Sequence, residues 1–264
     1  MVVYINMSGG NNPIRLAIDP LGTYPLDIAV KMAEDHGLMI ELQMEPPVFT
    51  WDSSFSRTLA DIAGTYGLIL HAPYREVFLA SIHPVVQKAS LQLIKESADL
   101  AARVDAEFLV MHLGSFNRKQ GWDDLFSRLV QSLREVVEYS RDVGVPIAVE
   151  NTPFGPIGVM ASDFFQLFAE VGEFPLCIDV AHAYSSGNLD AFLDLFPDAP
   201  VYHFSDTVRG KDMHAEIGSG QIPWRQVLER INKKAVVVLE VGGATPTLRS
   251  LERLGRIFSE LDHR

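Results

Sequence analysis

Phe108-Leu-Val-Met-His112, Pro146-Ile-Ala-Val-Glu150 and Leu176-Cys-Ile-Asp179 decide how this chain is read. Each is a short apolar run closed by an imidazole or a carboxylate. Such runs, with no polar alternation, read as strands buried on both faces, the habit of a parallel sheet. Working outward, five more runs of this kind stand at Ile14–Asp19, Leu38–Gln43, Gly67–His71, Val201–Phe204 and Ala235–Glu240. Longer amphipathic stretches separate them: Leu26–His36, Ser56–Tyr66, Val85–Val104, Asp123–Val143, Ala161–Val171, Leu189–Phe196, Trp224–Asn232 and Thr247–Leu261. Within Val85–Val104, Leu91, Ile94, Ala98 and Ala101 recur at helical spacing, as a helix laid against a sheet requires.

Strand and helix alternate eight times, which spells consecutive βα units. The chain has 264 residues, and an α/β barrel needs roughly 250. No Gly/Ser-rich linker or charge block divides it. The expectation is therefore one α/β domain over residues 1–264, a single (β/α)8 barrel. A doubly wound sheet would place a glycine-rich phosphate turn after its first strand, and Pro20-Leu-Gly22 is not one.

Composition excludes several function classes. Hydrophobic residues make up 47% and charged residues 21%, ordinary globular usage. The 22 Lys and Arg against 34 Asp and Glu give a net charge of −12, which argues against non-specific nucleic-acid binding. No apolar run is long enough to span a bilayer, so no membrane partner is expected. Met1–Asn12 lacks a positively charged leader, and the single cysteine, Cys177, suits a reducing compartment; a cytoplasmic location is expected. The acidic surface gives no reading of oligomeric state.

In a barrel the C-terminal strand ends build the active-site face. Here they carry His71, His112, Glu150, Asp179 with His182 just beyond, His203 with Asp212 and His214 in its following loop, and Glu240. Five of the eight histidines fall in this set. Buried carboxylates brought together repel one another unless protons or cations intervene. A divalent metal supplies that compensation, and mixed His, Asp and Glu donors suit Zn²⁺, Mn²⁺ or Co²⁺ better than Ca²⁺.

The segments Leu70-His-Ala-Pro-Tyr74, Met111-His-Leu-Gly-Ser115, Val149-Glu-Asn-Thr152, Ile178-Asp-Val-Ala-His182, His203-Phe-Ser-Asp206, Asp212-Met-His214-Ala-Glu-Ile-Gly-Ser-Gly220 and Leu239-Glu240 resemble the xylose isomerase-like TIM-barrel superfamily. That superfamily holds sugar and sugar-phosphate isomerases and epimerases, and endonuclease IV (AP endonuclease family 2). Resemblance to the isomerase branch implies one metal held by Glu150, Asp179, His203 and Glu240. Glu150 and Glu240 would then be the catalytic acid/base pair, moving a proton on a small sugar or sugar phosphate. A metal on the substrate oxygens stabilises the ene-diolate that such a transfer creates. Glu41, Tyr74, His182 and Arg209 are the expected substrate-binding residues on this reading.

Resemblance to endonuclease IV implies instead three zinc ions on all nine groups: His71, His112, Glu150, Asp179, His182, His203, Asp212, His214 and Glu240. DNA with an abasic site would be the partner, with Tyr74 pressed against it. The chain departs from that branch in places. Leu16-Ala-Ile-Asp19 stands where the nuclease has a Gly-x-His element, and Glu45–Asp52 lacks an Asn/Arg-rich stretch. The isomerase is the leading expectation, with one to three ions, and the zinc phosphodiesterase is its alternative.

Smaller features carry double readings. Trp51, Trp122 and Trp224 are read as packing or helix-start residues, with sugar stacking as the alternative. Gly218-Ser-Gly220 is read as a plain turn or a phosphate cradle, Cys177 as a packing residue, and Asp206 as a loop cap or a partner of His203.

Overall fold

Parallel pairing runs around the chain without a break. In a computed structural model describing residues 14–46, 49–116 and 121–262, eight strands close a barrel in sequence order. They are β1 (Arg15–Ile18), β2 (Met39–Gln43), β3 (Leu68–His71), β4 (Phe108–Met111), β5 (Ile147–Glu150), β6 (Leu176–Asp179), β7 (Val201–Phe204) and β8 (Val236–Leu239). The ring closes where β1 pairs with β8, Ala17 opposite Val238. Met1–Asn12, read above for a leader, lies outside the described residues. No helix among those described is long and apolar enough to cross a membrane.

Alternation along each strand separates two apolar layers. Outward residues such as Leu16, Ile18, Leu70, Met111, Val149, Ile178, Tyr202 and Leu239 pack beneath the surrounding helices. Inward residues Ala17, Met39, Ile69, Val110, Ala148, Cys177, Val201 and Val238 form a separate plug inside the barrel. Two residues further along each strand, the next inward position is Asp19, Glu41, His71, His112, Glu150, Asp179, His203 and Glu240. Every strand thus lifts one ionisable side chain onto the plug.

The coat consists of α1 (Leu26–His36), α2 (Ser53–Tyr66), α3 (Pro84–Arg103), α4 (Trp122–Val143), α5 (Ala161–Val171), α6 (Val180–Ser186), α7 (Leu189–Leu195), α8 (Trp224–Arg230) and α9 (Ala244–Asp262). The expected helices are all present; α1 and α5 keep their expected bounds and the other six shift at their ends. The α2 helix begins at Ser53 rather than Ser56 because Asp52 caps it, accepting from the backbone N–H of Ser54 and Phe55 at 2.9 and 2.8 Å. The unexpected element is α6, which starts directly after β6. Asp179 caps it by accepting from His182 N at 2.6 Å, and Gly187 ends it in the left-handed region at φ 82°.

Candidate metal centre

Glu150 lies at the centre of the charged layer, 1% exposed. Its Oε2 stands 3.1 Å from His71 Nε2 and 2.9 Å from His112 Nε2. Its Oε1 faces the other way, 3.2 Å from His182 Nδ1 and 3.6 Å from His203 Nδ1. One carboxylate therefore touches two donor groups: His71, His112 and Glu150 on one side, and Glu150, Asp179, His203 and Glu240 on the other.

The histidines are aimed by what their second nitrogen does. His71 Nδ1 donates to the Ala72 carbonyl at 2.8 Å, His182 Nδ1 to the Asn151 carbonyl at 2.9 Å, and His214 Nδ1 to the Glu240 carbonyl at 3.2 Å. Each Nε2 is left turned toward a carboxylate. His203 uses the opposite tautomer: Nε2 donates to Glu41 Oε2 at 3.2 Å, leaving Nδ1 3.3 Å from Glu240 Oε2. Anchoring one ring nitrogen and presenting the other is how metal-binding imidazoles are held.

A third group is more open. His182 Nε2 and His214 Nε2 lie 3.4 and 3.5 Å from the two oxygens of Asp212. Asp212 and His214 ride on the loop after β7, and Asp206 fastens that loop. Fully buried, the Asp206 carboxylate accepts from the N–H groups of Thr207, Gly218 and Ile222 and from Trp224 Nε1. Gly218-Ser-Gly220 is the turn wrapped around it. A Cβ on Gly220 would stand 2.3 Å from Asp206 Oδ1. Asp206 is thus the loop's anchor, and Trp224, buried against Phe204, helps hold it.

Electrostatics follow from burial and mutual proximity. Burial alone would lower the pKa of His71, but the Glu150 carboxylate outweighs it and lifts it to about 9. Burial would raise Glu240, yet the positive charge of His203 beside it brings it down to about 2. Glu150 is held well below the usual range against its own burial, chiefly by His112 and His203. Burial dominates at Asp179 and raises it to about 6. His71, Glu150 and Glu240 are thereby favoured in their charged forms, and Asp179 is pushed toward its protonated one.

The donor set fits a divalent cation. Asp179 Oδ2 and His203 Nδ1 are buried with no hydrogen-bond partner among the described residues. They belong to the group in which Glu150, Asp179, His203 and Glu240 converge within 4.8 Å. Unpaired buried polar atoms of this kind are costly unless something binds them. Mixed imidazole and carboxylate ligation suits Zn²⁺, Mn²⁺ or Co²⁺.

The remaining candidates are spread around this centre. Tyr74 stacks on His112, ring centroids 5.0 Å apart. Glu41 is fully buried beneath the mouth, bonded to His203. Arg209 is exposed and lies over the Tyr184 ring at 5.0 Å. Cys177 belongs to the plug, and burial pushes its thiol pKa well up. Beside the centre opens a cleft of about 820 Å³, lined by His112, Phe116, Trp122, Phe154, His182 and Asp212. Trp122 begins α4 and stacks on Phe126, while Trp51 packs edge-on against Phe49.

Asn151 was not singled out by the sequence reading. Its side chain accepts from Asp179 N at 2.7 Å and donates to Asp179 O at 3.0 Å, and its carbonyl holds His182. The only signal in the sequence was its place directly after Glu150.

The family profile of the xylose isomerase-like TIM barrel matches residues 26–257. An uncharacterised protein of Methanocaldococcus jannaschii is 25% identical over 185 residues, covering 68% of this chain and 74% of the relative. A probable endonuclease 4 of Mycobacterium leprae is 28% identical over 189 residues, covering 66% and 72%. Among solved structures, a D-tagatose 3-epimerase-like protein superposes with a TM-score of 0.86 at 21% identity, covering 95% of this chain and 99% of its own.

Proposed function

Because the chain belongs to the xylose isomerase-like TIM-barrel family, we propose that it is a divalent-metal enzyme with more than one ion, and that it hydrolyses phosphate esters. The observation that carries this reading is Glu150, with one oxygen on His71 and His112 and the other on the His182 and His203 side. In a one-metal sugar isomerase His71 and His112 would serve only to orient the Glu150 carboxylate. On this reading His71, His112 and Glu150 hold one ion, and Glu150, Asp179, His203 and Glu240 hold another. Asp179, His182, Asp212 and His214 offer a third position at the open side.

Bound there, divalent ions activate water and neutralise charge growing on a phosphoryl oxygen. The chain's own residues prepare that chemistry. Backbone carbonyls fix His71, His182 and His214 in the tautomer that presents Nε2. Tyr74 stacks on one face of the His112 ring and restricts its tilt. Asp212 and His214, partly exposed beside the cleft, stand where an incoming phosphate would meet the centre. Arg209 offers an exposed cation for its charge.

A second reading rests on a separate observation. Glu150, Asp179, His203 and Glu240 alone form a compact buried quartet. That quartet supports a single-ion isomerase or epimerase of a sugar or sugar phosphate, with Glu150 and Glu240 passing a proton across the substrate.

The test assays protein loaded with Zn²⁺ and with Mn²⁺ on duplex DNA carrying an abasic site, on bis(p-nitrophenyl) phosphate, and on a panel of ketoses and ketose phosphates. Chelator-sensitive phosphodiester cleavage, lost in His71→Ala and His112→Ala, is the expected result. Sugar isomerisation that survives both substitutions, with no phosphodiester cleavage, overturns the hydrolase and establishes the second reading.

A further inference from the structure

A second meeting of carboxylates lies on the opposite side of the barrel axis from His112. Asp19, Glu41 and Glu240 come from β1, β2 and β8, three neighbouring strands, and one oxygen from each lies within 4.8 Å of the others. Asp19 and Glu41 are fully buried and Glu240 is 3% exposed.

Each of the first two has one oxygen satisfied and one not. Asp19 Oδ1 accepts from Leu21 N at 2.7 Å, and Glu41 Oε2 accepts from His203 Nε2 at 3.2 Å. Asp19 Oδ2 and Glu41 Oε1 are buried with no hydrogen-bond partner among the described residues. An unpaired buried acceptor costs about 1–3 kcal/mol, more when it is charged. Two such oxygens in one carboxylate cluster call for a positive species between them. A cavity of about 150 Å³ reaches Asp19, with Gln43, Glu45 and Arg75 also in its lining.

We propose that Asp19, Glu41 and Glu240 form a separate site for a hard divalent cation, Mg²⁺ or Mn²⁺. The reason is the donor chemistry. This group offers only carboxylate oxygens, which suit hard cations. The His71, His112, His182 and His214 groups offer imidazole nitrogens, which suit zinc. The two halves of one charged layer are thereby sorted by metal, and Glu240 is the wall between them. This inference goes beyond the proposed hydrolase. Asp19 belongs to none of the three histidine-bearing groups, so the site stands or falls separately from that reading.

The test uses the full chain, first loaded with Zn²⁺ and freed of excess, then titrated with Mn²⁺. Free Mn²⁺ is followed by electron paramagnetic resonance and bound metals by mass spectrometry. Wild type should take up one Mn²⁺ beyond its zinc, and Asp19→Asn should lose that ion while keeping the same zinc content. Diffraction at the manganese edge from wild-type crystals should give an anomalous peak at the Asp19 and Glu41 carboxylates, a readout that does not depend on the variant folding. No uptake of Mn²⁺ above the zinc complement overturns the site, as does unchanged uptake by folded Asp19→Asn. An anomalous peak lying only among the histidines has the same consequence. In each of those cases the cluster holds a proton rather than a metal.

Discussion

The plug and the charged layer above it are built by the same eight strands, one inward step apart, and they could hardly differ more. Ala17, Met39, Ile69, Val110, Ala148, Cys177, Val201 and Val238 fill the lower interior with apolar volume. Asp19, Glu41, His71, His112, Glu150, Asp179, His203 and Glu240 fill the upper interior with groups that bind protons or cations. The plug supplies rigidity, because close-packed interiors resist displacement. The upper layer is over-supplied with charge and depends on that rigidity to hold its donor atoms converged. Stability resides in the lower layer and chemistry in the upper one, as barrels of this class divide their two faces.

Substitutions in the two layers should therefore part company, and the largest expected effect is in the upper one. Glu150→Gln keeps the shape but removes the charge facing both donor groups. Activity should fall to background, and metal analysis should show ions lost from both sides, while thermal unfolding stays cooperative. Loss of a single ion would break the bridging role.

In the plug, Ile69→Ala should cost about 2–5 kcal/mol of stability through lost burial and the cavity left behind, measured by denaturant unfolding. Its metal content should match wild type. If metals leave with the methyl groups, the two layers are not separable.

The charged layer also sets the pH response of the metal-free protein. His71 is raised from 6.5 to about 9 on folding. Its stabilising contribution is complete below pH 6.5 and is lost as pH rises through about 9, a change on the order of 3 kcal/mol. Glu240, lowered from 4.5 to about 2, acts oppositely and loses its contribution as pH falls through that range. Melting temperature against pH should show the alkaline decline in chelated protein. The decline should flatten in metal-loaded protein, where His71 Nε2 holds an ion in place of a proton.

How legible was this layer in the sequence? The strand ends were readable because the inward step of two residues and the residue type coincide there, as in Ala148 to Glu150 and Val201 to His203. Asp19 went unclaimed because it stood where the nuclease resemblance expects a histidine, so it registered as a departure. The same two-residue step from Ala17 leads straight to it. The α6 helix was missed because it is short and begins on Asp179, a residue already occupied as a strand end; its cap bond becomes visible only in three dimensions. Asn151 was missed because an amide carries no chemical signature of its own. Its role is to satisfy the backbone of Asp179.

That role gives a smaller effect. Asn151→Ala leaves the buried Asp179 N–H without its acceptor, worth about 1–3 kcal/mol. Calorimetry should show that loss together with weaker metal binding on the Asp179 side and little change at His71 and His112. At the far end of the scale, Lys31→Ala on the outer face of α1 removes exposed pairs with Glu34 and Asp35. It should leave both stability and metal content indistinguishable from wild type, because solvent screens such exposed pairs.

Metals per chain test the central claim most directly. Protein purified without chelator, resupplied with Zn²⁺ and washed, should carry at least two tightly held zinc ions, with His71→Ala and His112→Ala each holding fewer than wild type. A value near one, unchanged by either substitution, would contradict the claim that Glu150 joins two metal-binding groups.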